Sequence, residues 1–275
     1  MSFIQRDQNQ PNKRSGDGVG LIDSHCHLDL EPLKSELPHL MKEAHAAGVQ
    51  GFVVPGVHPD GWPGISAVAA ENPRILPAYG IHPMHAVCAN DQVLDQLCEL
   101  ATQGVAIGEV GLDPAYSAPL ELQETAFREQ LRVAVKHGLP VLIHCRRAFQ
   151  RVFKILSEER AYQVGGIMHA FSGSVEMARE FIRLGFAISI SGTVTWNNAV
   201  KPLRVASELP LEHLVLETDA PDMTPERYRG SFNRPAWITE TALRVADVHG
   251  ASLEDVARIT TGNVQRVLRL ESAPA

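Results

Sequence analysis

The sequence predicts an α/β chain folded as one (β/α)₈ TIM barrel, and three observations predict it. Eight short runs rich in branched apolar residues each end in a polar residue, Gly or Pro. Amphipathic segments of helix length separate them, at the roughly 25–30 residue spacing of βα units. No G-x-G-x-x-G follows the first run, which removes the main argument for an open, doubly wound sheet. The 275 residues suit a single barrel of this kind, which takes about 250.

The elements follow in order. The strands are read as "GLIDSHCHL" (20–28), "GFVVPGV" (51–57), "ILPAYGIH" (75–82), "VAIGEVGLD" (105–113), "PVLIHCR" (140–146), "GGIMHAF" (165–171), "FAISISG" (186–192) and "LVLETDAP" (214–221). Between the fourth and fifth, "LELQETAFREQLRVAVKHG" (120–138) is the clearest helix, stopped by Gly138 and then Pro140. "SVEMAREFIRLG" (174–185) is Ser-capped and Gly-terminated. A long loop, "YRGSFNRPAW" (228–237), follows the last strand, and helices around 236–248 and 253–269 finish the chain. Residues 1–19 are polar and carry no apolar signal core, so they are expected to be a mobile tail, with residues 20–270 forming the single domain.

Composition narrows the function classes. No apolar run reaches the roughly 18 residues of a membrane span. The net charge of −7 argues against a general electrostatic grip on duplex DNA, though not against a local basic pocket. The 4 cysteines, Cys26, Cys88, Cys98 and Cys145, form no C-x-x-C pair, which points to a reduced, cytoplasmic protein.

The strand ends carry the chemistry. In a barrel enzyme the reacting groups sit at the C-terminal ends of the strands. Here those ends supply His25 and His27, His82, Glu109, His144, His169 and Asp219. Strand alternation puts Asp23, His25 and His27 on one face and turns Cys26 and Cys145 away, to pack as small hydrophobes. Singly, each has a plain reading: a strand histidine is more often a hydrogen-bonded core residue, Glu109 could be an ion-pair partner, and Asp23 and Asp29 could be turn residues. Jointly, His25, His27, His144, His169, Glu109 and Asp219 would leave a buried core full of unpaired polar groups, and a shared metal supplies the missing partner. Nitrogen and oxygen donors alone suit Zn²⁺, Mn²⁺, Co²⁺ or Mg²⁺, and six donors exceed one tetrahedral site, so two ions with a bridging carboxylate are expected.

The motifs "DSHCHLD", "GIHP", "AIGEVGLD", "PVLIHCRR", "MHAFSGS", "ETDAPDMTP", "RGSFNRPAW" and "TTGNV", in this order, resemble the TatD family of metal-dependent hydrolases, within the wider amidohydrolase-like barrels. The resemblance runs from about residue 20 to 268, and "HAFSGS", "TDAPDM" and "NRP" look like its YjjV-type branch. It implies one metal on His25, His27, Glu109 and Asp219, and a second on Glu109, His144 and His169, with Glu109 bridging. It implies His82 as a substrate-facing residue beside them, and a metal-dependent deoxyribonuclease acting 3′→5′ on single-stranded DNA. Pro114 and "SFNRP" depart from the family pattern, in positions that bear on substrate contacts.

The chemistry fits that implication. Two ions about 3.5–4 Å apart acidify a water held between them and clamp a phosphoryl oxygen. Asp219 would orient or deprotonate that water. Arg146 shares the face of His144 and could reach a phosphate, or could form a surface ion pair. Arg227, Arg229 and Arg234 are interleaved with Tyr228, Phe232 and Trp237, with Trp62 and Trp196 on the same expected rim; arginines among stackable rings suit single-stranded nucleic acid, although Trp237 sits where rings usually pack. Arg146, Arg229 and Arg234 are therefore the expected substrate contacts. The alternative is hydrolysis of a small-molecule amide, lactone or phosphoester by the same centre. Strand four offers Glu109 and no lysine to bridge two metals, which leans towards the nuclease. A vestigial scaffold would show gaps in the ligand set, and none is seen.

Overall fold

A computed structural model describes residues 20–270; the expected N-terminal tail lies outside the described residues. Eight parallel strands stand in chain order: β1 (Leu21–Asp23), β2 (Val49–Pro55), β3 (Ile75–Tyr79), β4 (Ala106–Leu112), β5 (Val141–Cys145), β6 (Gly166–Met168), β7 (Phe186–Ile190) and β8 (Leu214–Leu216). Helices return the chain between them: α1 (Leu37–Ala46), α2 (Trp62–Glu71), α3 (Asp91–Leu100), α4 (Leu120–His137), α5 (Phe149–Glu158), α6 (Val175–Arg183) and α7 (Lys201–Glu208). After β8 come α8 (Ile238–His249) and α9 (Leu253–Val267). Among the described residues no helix is long and apolar enough to cross a membrane.

The barrel closes at its rim. Ser24 N–H donates to Leu216 O at 2.9 Å and Asp219 N–H to His25 O at 2.9 Å, joining the ends of β1 and β8. Asp23 reinforces this seam, its carboxylate accepting from Thr218 N at 2.9 Å and Thr218 Oγ1 at 2.5 Å.

The interior is filled by one residue from each strand: Ile22, Val53, Ala78, Ala106, Leu142, Ile167, Ala187 and Val215. Branched side chains with three alanines fill the centre, so the barrel is a packed core and not a pore. At the opposite end from the polar rim, Val264 and Val267 of the last helix and Leu268 just after it pack on this layer, and Thr261 Oγ1 donates to Gly20 O at 2.9 Å. A larger apolar layer joins the outer faces of the strands to the helices, and Cys26 and Cys145 belong to it. The helix stops follow the sequence: α4 ends at Gly138 in the left-handed region (φ 68°) and α6 starts from Ser174, whose hydroxyl accepts from Met177 N.

The strands are shorter than the apolar runs suggest. β1 ends at Asp23, β3 at Tyr79, β6 at Met168 and β8 at Leu216. Alternation therefore does not carry from Asp23 to His27, and Asp23 does not join the two imidazoles: it is spent on Thr218.

Candidate metal centre

Only Glu109 and His144 of the expected donors lie within strands; His25, His27, His82, His169 and Asp219 sit just past strand ends. Backbone bonds fix them there. Cys26 N donates to Val53 O (3.0 Å), His27 N to Ala220 O (2.9 Å), His82 N to Val57 O (3.0 Å), Glu109 N to Gly56 O (3.0 Å) and His169 N to Ile143 O (3.0 Å). The polar rim is thus tied by backbone hydrogen bonds to the strands below it. β4 and β5 approach so closely that a Cβ on Gly111 (φ 148°) would lie 1.9 Å from His144 O, so only glycine fits there. Asp219 (φ 55°) and Ala170 (φ 42°) occupy the left-handed region, which costs a residue with a side chain about 1–3 kcal/mol and is concentrated at functional sites.

Glu109 and Asp219 form the axis of the centre. The Nε2 atoms of His25, His27 and His169 each face both carboxylates: 3.2, 3.7 and 3.6 Å from Glu109, and 3.9, 3.5 and 3.7 Å from Asp219 Oδ1. Only the 3.2 Å contact has hydrogen-bond length. Donors sharing one ion at about 2.1 Å stand roughly 3.0–3.4 Å apart, so the spacing is that of a slightly open coordination shell rather than of a hydrogen-bond network. Among the described residues the buried Nδ1 atoms of His25 and His27 have no partner, so no hydrogen bond fixes the ring proton on Nε2. The donor set fits a divalent metal.

The second ring nitrogens sort the histidines. His169 Nδ1 lies 3.1 Å from Glu217 Oε2, so Nδ1 carries the proton and Nε2 presents its lone pair to the centre. Both ring nitrogens of His144 face carboxylates, Nδ1 at 2.8 Å from Glu109 Oε1 and Nε2 at 3.2 Å from Asp113 Oδ2; with Asp113 taking Nε2–H, Nδ1 is the nitrogen that a metal shared with Glu109 would meet. His82 is different: its Nδ1 accepts from Met84 N at 3.2 Å, which puts the proton of the neutral ring on Nε2, 3.5 Å from Glu109 Oε1. It is a donor facing the centre. The tight donor groups are His25 with His27 and Glu109, His25 with His169 and Asp219, and Glu109 with His82 and His144. His169 therefore stands with His25, ring stacked on ring at 3.6 Å, and its ring lies 6.1 Å from that of His144, its expected partner.

The charges follow from burial and proximity. Burial opposes ionisation of Glu109, but His82, His169 and His25 around it hold its carboxyl well below the ordinary range. Asp219 is held low against burial by His169 and His27. Burial works against protonation of His27 and His169, yet Asp219 raises the first to about 9, and Glu217 and Asp219 raise the second to about 10. Burial takes His82 down to about 3. Without a metal, the two carboxylates thus hold protons on the very imidazoles that would bind one.

The sequence comparisons agree. The family described as TatD related DNase matches residues 22–269. The chain belongs to the TatD-related DNase family. The uncharacterized metal-dependent hydrolase YabD of Bacillus subtilis is similar to it, 38% identical over 253 residues, covering 91% of this chain and 99% of YabD. The crystal structure of YjjV, a TatD homolog from Escherichia coli K12, superposes with a TM-score of 0.86 at 31% identity, over 91% of this chain and 98% of that one. An organophosphorus hydrolase from Deinococcus radiodurans, at 16% identity and a TM-score of 0.63, shares the fold. Membership makes this TatD-family chain a metal-dependent hydrolase; which bond it cuts is a separate question.

The TatD centre opens into a cavity of about 700 Å³ lined by Tyr116, Arg146, His169, Trp196, Lys201 and Asp219, among others. Arg146 is exposed on its wall and forms no ion pair among the described residues. Arg229 pairs with Glu226 at 3.3 Å and lies over the Trp196 ring at 4.5 Å. Arg234 is committed elsewhere, to Glu43 (3.2 Å) and Glu36 (3.6 Å) beside α1. Trp62, expected on the rim, is fully buried, its indole N–H donating to Gly80 O at 3.0 Å. Trp237 stacks on Tyr228 at 4.1 Å, and Phe232 is 65% exposed. Cys145 edges onto the cavity, but burial pushes its thiol up to about 12, and that of Cys26 higher than its ordinary value, so neither offers a thiolate.

Sequence reasoning missed Glu217, Asp113 and Asn233. Glu217 and Asp113 orient histidines, and each is a carboxylate near the end of an apolar run, which was the available signal. Asn233, in the "NRP" motif, is buried and donates to Thr218 O and Asp222 O at 2.8 Å, bracing the turn that carries Asp219.

Proposed function

We propose that this hydrolase is a phosphodiesterase acting on DNA, taking nucleotides from the 3′ end of single strands. The observation that carries the reading is the cage of three Nε2 atoms facing both Glu109 and Asp219, opening on a cavity with stackable rings and an arginine that has no ion pair among the described residues. One ion would be held by His25, His27, Glu109 and Asp219, and a second by Glu109, His144 and His169, with Zn²⁺, Mn²⁺, Co²⁺ or Mg²⁺ as the candidates. Although His169 stacks on His25, His144 and His169 both face Glu109 Oε1, at 2.8 and 3.6 Å. When bound, such ions acidify water and stabilise charge on phosphoryl and leaving oxygens.

The side chains supply the rest. The imidazole contacts of Asp219 all run through Oδ1, which leaves Oδ2 to take a proton from a water in the cavity. Glu109, held ionised, anchors both halves of the cage. His82, neutral with its proton on Nε2, donates a hydrogen bond to a phosphoryl or leaving oxygen. Arg146 binds a non-bridging phosphate oxygen, and Tyr116 and Trp196 offer faces to a base.

Metal-loaded protein is expected to shorten single-stranded DNA from the 3′ end, and Glu109→Ala and His144→Ala to abolish this. Turnover of lactones or amides with DNA left intact would replace the phosphodiester reading by that of a small-molecule hydrolase. Nuclease activity persisting in both variants would sink it.

A further inference from the structure

Beside the catalytic cavity runs a second groove, and the two share Arg146, Ser172 and Lys201 as a common wall. The rest of the groove is lined by Arg147, Arg151 and the first turn of α5, among others, and carries no acidic side chain. Among the described residues only Arg151 of these four cations is ion-paired, to Glu124. Arg146, Arg147 and Lys201 are exposed and unpaired in a chain of net charge −7. The groove thus gathers positive charge with no acidic residue among those lining it. Ala148, the cap residue of α5, has no side chain to bind the free amides of that helix start, which adds partial positive charge on the same wall. Arg147 is held at φ 54°, a conformation disfavoured for arginine.

We infer that this groove is a second phosphate subsite, which seats the phosphate of the nucleotide adjoining the scissile linkage. It rests on the phosphodiesterase reading and sharpens it: an ester with one phosphate fills the catalytic cavity alone, whereas an oligonucleotide reaches both. Arg147 belongs only to the groove, so its removal separates the two.

The test uses Arg147→Asn, which tolerates the left-handed backbone, and Arg147→Glu. Two substrates are compared in metal-loaded protein: decathymidylate and bis(p-nitrophenyl) phosphate, which has a single phosphorus. The expectation is a loss of kcat/KM of about 5-fold for decathymidylate in Arg147→Asn, and more in Arg147→Glu, with the single-phosphate ester changed less than about 2-fold. In chelator-treated protein, anisotropy of fluorescein-labelled decathymidylate should show weaker binding, with the slope of log K against log salt reduced by about 0.7. Unchanged oligonucleotide affinity and an unchanged ratio of the two kcat/KM values in both variants would overturn the subsite. Failure of the wild type to cleave either substrate would instead remove the phosphodiesterase reading, and the binding measurement would still decide the groove.

Discussion

Glu217→Gln is the sharpest perturbation of the centre, because it leaves every metal donor in place. Glu217 is fully buried; its Oε2 holds His169 Nδ1 at 3.1 Å and its Oε1 accepts from Ala170 N at 2.7 Å. A glutamine has the same shape but one acceptor end and one donor end. If its oxygen takes the His169 proton, its amide opposes Ala170 N–H. If it turns round, its amide meets Nδ1, the ring proton moves to Nε2, and the lone pair facing Asp219 and Glu109 is lost. In the first arrangement the buried Ala170 N–H is left without an acceptor, at about 1–3 kcal/mol; in the second, Nε2–H stands where a metal would bind. Loss of an orienting partner costs metal affinity roughly 10–100-fold, or about 1.4–2.7 kcal/mol. The assay is competitive titration of Zn²⁺ and Mn²⁺ against a chromophoric chelator, with thermal unfolding of the metal-free variant alongside. The expected result is that loss of affinity together with a fall in Tm of about 2–12 °C. Metal affinity within twofold of wild type would refute the role given to Glu217.

Metal at about 100 times its Kd should stabilise the fold by about 2.7 kcal/mol, seen as a rise in Tm that EDTA reverses; no rise with any of Zn²⁺, Mn²⁺, Co²⁺ or Mg²⁺ would count against a metal centre. His27 and His169 are buried yet raised to about 9 and 10 by the carboxylates beside them, so their contribution to the metal-free fold is complete below the ordinary 6.5 and fades as pH rises through 9–10. Urea unfolding of chelated protein should therefore show declining stability from pH 7 to 10, while metal affinity climbs over the same range because ligation needs the neutral imidazole; flat profiles would contradict both. Arg146→Gln should lower kcat/KM on a phosphodiester about tenfold, mostly through KM, and equal kinetics in the two proteins would show that Arg146 does not touch the substrate.

The barrel was legible because its strands are buried on both faces, so each appears as an apolar run, and because helix stops such as Gly138 are local chemistry. The donors stood out for the same reason, as polar residues at the ends of those runs. The strand ends were not legible. At the rim, backbone bonds such as His27 N to Ala220 O replace the ladder, and no local pattern encodes a partner that far away. Glu217 and Asp113 were hidden because a carboxylate that orients a histidine reads like one that binds a metal. Arg234 looked like a nucleic-acid contact until the fold brought Glu36 and Glu43 to it, and Trp62 looked exposed until Gly80 accepted its indole proton.

The net charge of −7 stands against an anionic substrate, and the distribution of that charge resolves the conflict. Asp23, Glu109, Asp113, Glu217 and Asp219 are buried, and each is matched to a hydroxyl, an amide or an imidazole inside the barrel. Along the helices, acids are largely answered by arginines, as in Arg128 with Glu158 and Glu159 or Arg258 with Asp255. Exposed charges farther than about 8–10 Å are screened at physiological salt, so a ligand at the cavity mouth responds to its neighbours rather than to the total. Those neighbours include Arg146, Arg147 and Lys201, none of them ion-paired among the described residues. The last helix packs on the interior layer from the other end, so the polar rim is the side from which the donors can be reached. Arg146 and Lys201 line that cavity together with Asp222, so an anionic ligand there would respond to these neighbours rather than to the acidity of the chain as a whole.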